Sequence, residues 1–75
     1  MTVRFSSLND IKEFVGLATL QPYPVQLLDG ERTVNAKSFM EMFTLNFAQP
    51  LRVALENEEN AVCFARCAKK FLSES

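Results

Sequence analysis

Apolar and polar positions alternate or recur with a clear period through most of this chain. Val3 and Phe5 alternate with polar neighbours and predict a short edge strand. Ser7 then opens a helix, with Asp10 in its first turn able to reach back in the manner of a capping box. Leu8, Ile11, Val15 and Ala18 recur at helical spacing, and Phe14 widens the stripe. Gly16 weakens this helix and is expected to permit close packing. Pro22 and Pro24 end it.

Tyr23, Val25 and Leu27 alternate with their neighbours and predict a second strand, with Pro24 near its start. Asp29-Gly30 signals a hairpin, and Arg32 to Asn35 forms the returning arm. Ser38-Phe39-Met40-Glu41 is a full capping-box sequence, so a short helix is expected to begin there. It is expected to end near Asn46, a residue that tolerates the left-handed cap conformation. Leu51, Val53 and Leu55 alternate with Arg52, Ala54 and Glu56 and give the clearest strand. Asn57 caps a last helix with Glu58 and Glu59 in its first turn. Its expected apolar stripe is Ala61, Phe64, Ala65, Ala68, Phe71 and Leu72. The order is β-α-β-β-α-β-α. Alternating strands suit an antiparallel sheet with one wet face and helices on the other, an α+β open sandwich.

Composition narrows the chemistry. The 75 residues form one expected domain, 1–75, with a net charge of -1. That balance argues against a nucleic-acid binder working by charge. No apolar run is long enough for a membrane span. No secretion signal is read at the start, so the expected location is the cytoplasm. The sequence contains no histidine. This excludes Ser-His and Cys-His catalytic pairs, histidine ligation of metals and a phosphohistidine intermediate. Cys63 and Cys67 are four apart, which places both on one helical face. That spacing does not suit a structural disulfide, and two thiols alone do not make a zinc site. They read as small apolar helix residues in a reducing compartment, with no metal and no cofactor implied.

The stretch Asp29-Gly30-Glu31-Arg32-Thr33-Val34-Asn35-Ala36-Lys37-Ser38-Phe39-Met40 resembles the central segment of HPr, the phosphocarrier protein of the bacterial phosphoenolpyruvate sugar phosphotransferase system. The resemblance continues through Met42, Leu45, Phe47, Ala48 and Gln49, the strand Leu51 to Leu55, and the acidic pair Glu58-Glu59. Phe14-Val15 falls where that family's first helix often carries Phe-Val. The resemblance implies an HPr-like open-faced sandwich, a four-stranded antiparallel sheet with three helices on one face. It also implies protein partners: an HPr kinase, a transcriptional regulator, or components of the phosphotransferase system.

One departure bears directly on function. The family's phosphoryl-carrying histidine corresponds to a position near Ser7, and its arginine to one near Asn9. The loop before them is expected to be short, since only Ser6 and Ser7 separate Phe5 from the helix. A phosphoserine ester does not replace a phosphohistidine donor, so the resemblance without its histidine implies no enzymatic phosphocarrier step. Ser38 matches the serine that a dedicated kinase phosphorylates in many Gram-positive members. Equally, Ser38 reads as a plain helix cap with Glu41 as its partner, worth about 1 kcal/mol.

The helix after Ser38 is unusually apolar. Met42 and Leu45 are expected to face the core. Phe39, Met40 and Phe43 then stand outward, either as a docking patch or as the ordinary exposed apolar surface of a small domain. Lys37 beside them is a candidate for steering an acidic partner. A regulatory or docking role is therefore expected first. A phosphotransferase component with a non-histidine acceptor (Ser7, Cys63 or Cys67) and an orphan paralogue are the alternatives. The short first strand leaves a monomer or a weak homodimer open.

Overall fold

The computed structural model describes residues 1–73. Its elements in chain order are β1 (Thr2–Val3), α1 (Leu8–Thr19), β2 (Gln26–Asp29), β3 (Arg32–Asn35), α2 (Phe39–Met42), β4 (Leu51–Ala54) and α3 (Glu58–Cys67), followed by a 3-10 turn at Lys69–Phe71. The four strands form one antiparallel sheet in the order β1-β4-β2-β3. Register places Leu27 opposite both Val34 and Val53, and Val3 opposite Leu51. These five side chains therefore share the face that meets the helices.

The core is dominated by phenylalanine. Phe14 of α1 makes edge-to-face contacts with Phe5, Phe64 and Phe71, with ring centroids 5.0, 5.4 and 5.7 Å away. Ile11, Val15 and Ala18 extend this buried face of α1, and among the described residues no polar side chain is buried. On the surface, Lys70 pairs with Glu13 and lies over the Phe71 ring.

Several expectations are corrected. Leu8 is exposed, since the helix turns its first residue away from the sheet. Gly16 is also solvent-facing, and a Cβ there would meet nothing within 4 Å, so it serves no close packing. The first strand ends at Val3, leaving Arg4 to Ser7 as the link to α1. Phe5 still points inward, because its ring is needed against Phe14 and Phe71. The second strand begins at Gln26, after the two prolines, although Val25 is already buried.

The hairpin turn is Gly30-Glu31, with Asp29 paired to Arg32. Gly30 takes φ 61 and, among the described residues, no other residue type has positive φ, which is the pattern of a type II′ turn. For the same reason Asn46 is not a left-handed cap, and α2 stops at Met42.

The last helix stops at Cys67, short of the expected stripe. Phe71 still reaches the core from the 3-10 turn. Leu72 instead bridges Val3 antiparallel and is exposed. Two hydrogen bonds hold this seam: Arg4 N donates to Phe71 O at 2.8 Å, and Ser73 N donates to Thr2 O at 2.9 Å. The outer edge of β1 is thus covered, and β3 is the other outer strand of the sheet.

Candidate functional site

The residues singled out in the sequence fall into two groups. The first lies at the start of α1. Ser7 is its N-cap, and its hydroxyl accepts from Asp10 N at 3.4 Å. Asp10 Oδ2 in turn accepts from Ser6 N at 2.8 Å, one residue further back than in a standard capping box. The Asp10 amide therefore faces a hydroxyl, and the Asp10 carboxylate stands at the start of the helix. An anion arriving near Ser7 or Asn9 meets like charge from Asp10.

The second group surrounds α2. Ser38 is half-buried and caps the helix, accepting from Glu41 N at 3.3 Å. The return arm of the expected capping box is diverted. Glu41 Oε1 accepts from Asn35 N at 3.3 Å, while Ser38 N donates to Asn35 O at 3.0 Å. Both backbone groups of Asn35 are thereby satisfied by the α2 turn, which fastens α2 to the outer strand β3. Arg32 of β3 reaches the same turn, its guanidinium donating to Thr44 Oγ1 at 2.6 Å.

The two faces of α2 differ as the spacing predicts. Met42 is 0% and Leu45 6% exposed, whereas Phe39 is 44%, Met40 83% and Phe43 48% exposed. The Phe39 and Phe43 rings lie 5.8 Å apart and form a tilted pair. The cluster is therefore an ordered apolar surface of two rings and a flexible thioether.

Lys37 is placed differently from these three. Its ammonium donates to Gln21 O at 2.8 Å and is half-buried, tying the end of α1 to the loop before α2. One donor of a partly covered cation is thus already used, a link between distant segments that sequence spacing does not reveal.

Cys63 and Cys67 are free. Both are exposed on α3, not packed as small apolar residues. They border Gln21 and Tyr23. Gln21 Nε2 lies 3.9 Å from Cys67 Sγ, and Gln21 Oε1 accepts from the Tyr23 hydroxyl at 3.1 Å. Burial, then the repulsion of a phenolate by negative charge on nearby Cys63 and Cys67, push the Tyr23 phenol above its ordinary 10.0. Sequence reasoning missed Gln21, whose only signal was its place between a helix end and a proline.

An open groove of about 400 Å³ lies elsewhere, between Met1, Leu28, Arg52, Asn57 and Glu58, and none of the predicted residues lines it. Among the described residues no helix is long and apolar enough to cross a membrane.

No family model matches the chain, and no curated protein sequence matches it significantly. A solved structure does. Crh of Bacillus subtilis, described as a catabolite repression protein whose swapped domain forms an intertwined dimer, aligns with a TM-score of 0.58. Identity is 22%, and the match covers 99% of this chain and 90% of that one. Strand count, antiparallel pairing and the three helices all agree, so this chain has the HPr-like α+β fold.

Proposed function

We propose that this chain is an HPr-like regulatory or docking protein without histidine phosphoryl carriage, acting in the cytoplasm as one domain. Its working surface is Ser38 with the outward face of α2. The observation that carries the reading is the split of α2 into a buried Met42 side and an exposed Phe39, Met40 and Phe43 side. A four-residue helix that, with its C-cap Phe43, exposes three large apolar side chains next to its capping serine has a surface suited to a protein partner. The absence of histidine removes the alternative of phosphoryl relay by the family's own route, and Asp10 beside Ser7 disfavours an anionic replacement there.

The partners follow from the resemblance: an HPr kinase acting on Ser38, and a catabolite-control regulator that reads the result. A phosphate on Ser38 sits at a helix start, where free amides and the dipole favour negative charge, while Glu41 opposes it.

The test is incubation with ATP and an HPr kinase, followed by mass spectrometry. One phosphoryl group per chain, absent from the Ser38→Ala variant, is expected. Backbone NMR with a catabolite-control regulator should then show shifts concentrated on Phe39, Met40 and Phe43. No phosphorylation, together with no shift on this surface, overturns the reading.

A further inference from the structure

Two free thiols stand exposed on one face of α3, four residues apart. An ordinary helix puts such Cβ atoms about 5–6 Å apart. A disulfide needs about 3.5–4.5 Å between them. The helix therefore holds the pair apart from each other as redox partners. A different bridge suits this spacing. Two metal–sulfur bonds of about 2.3 Å, set in line, separate their sulfurs by about 4.6 Å. Two cysteine arms leaning together from i and i+4 reach that distance without disturbing the helix.

The surroundings choose the ion further. Among the described residues no group of three or more His, Cys, Asp or Glu side chains is placed to hold a metal. An ion that needs three or four such ligands lacks them here, whereas a two-coordinate ion is complete with Cys63 and Cys67. Gln21 touches one member of the pair, Cys67, at 3.9 Å and holds the Tyr23 hydroxyl at 3.1 Å.

We propose that Cys63 and Cys67 form an intrachain, two-coordinate site for a soft monovalent ion of the Cu(I) class. Binding replaces two S–H bonds with two Cu–S bonds and releases two protons, with no change of oxidation state. The site is separate from the α2 surface and stands whether or not that surface docks a partner.

The probe is Cu(I), delivered anaerobically to the reduced full-length chain from a chromophoric Cu(I) chelator. One ion per chain, about two protons released per ion, and a monomeric mass in native mass spectrometry are expected. Tyr23 is the chain's single tyrosine and there is no tryptophan, so its emission reports binding directly. Quenching at one equivalent is expected. Cys63→Ser and Cys67→Ser should each weaken binding at least tenfold, with unchanged far-UV circular dichroism because both side chains are exposed. Wild-type binding by either serine variant overturns the proposal. So does half an ion per chain in a copper-bridged dimer, or Zn(II) binding as tightly as Cu(I).

Discussion

Each helix start in this chain depends on one side chain acting over three positions. Ser7, Ser38 and Asn57 cap the helices their local patterns announce, because a cap is a contact three residues long. The carboxylate of Glu41 was assigned to Ser38 but serves Asn35, a bond that exists only after β3 and α2 meet. Gly16 gives the sharpest residue-scale prediction. It sits inside α1, faces solvent, and leaves room for a methyl group. Gly16→Ala should raise stability by about 0.5–1 kcal/mol in urea unfolding, through the lower entropy of the unfolded chain. Tyr23 gives a second. Its phenol is held above 10.0, chiefly by burial. A group with a raised folded value contributes stability that is whole below the unfolded value and is lost as pH climbs through the folded one. Stability should therefore fall above pH 10 in wild type and fall less in Tyr23→Phe, as followed by denaturant midpoints against pH.

At the scale of elements, periodicity located every strand and helix but misjudged some ends. The stripe of α3 ran on through Phe71 and Leu72 in sequence. In the structure, the helix yields to a 3-10 turn, because Phe71 O and Ser73 N make sheet-type bonds with Arg4 N and Thr2 O that a continuing helix would forbid. For the short α2, spacing predicts the facing found and an extent longer than the Phe39–Met42 observed. Its two faces make a paired prediction. Met42→Ala, in the core, should cost about 2–5 kcal/mol. Met40→Ala, 83% exposed, should stay within about 0.5 kcal/mol. Thermal and chemical unfolding of the two variants decides it. Equal losses would mean that the outer face of α2 is packed against something in the folded protein.

For the whole molecule, the strand order β1-β4-β2-β3 was not written in the alternation of any strand, since each pattern fits several neighbours. The family resemblance implied four antiparallel strands with helices on one face, and the likeness to Crh agrees with that much. The helical layer is joined to the sheet's edge through Phe14, which meets rings from the β1–α1 link, α3 and the 3-10 turn. Phe14→Ala should cost about 3–5 kcal/mol. A domain of this length has roughly 4–11 kcal/mol in total, so the variant should lose a large share of its stability, visible as a lower midpoint in denaturant unfolding. Wild-type stability would show that the remaining rings close around the space.

The seam between β1 and residues Phe71–Ser73 also determines how this molecule answers force. Its strands run antiparallel, with Thr2 beside Ser73 and Arg4 beside Phe71. Pulling outward from the two ends of this seam opens it from the Thr2–Ser73 side. The bonds are then loaded in turn, as in a zipper, rather than sheared together. The contact that closes the sheet's edge is therefore mechanically its weakest point, and the first to part under tension.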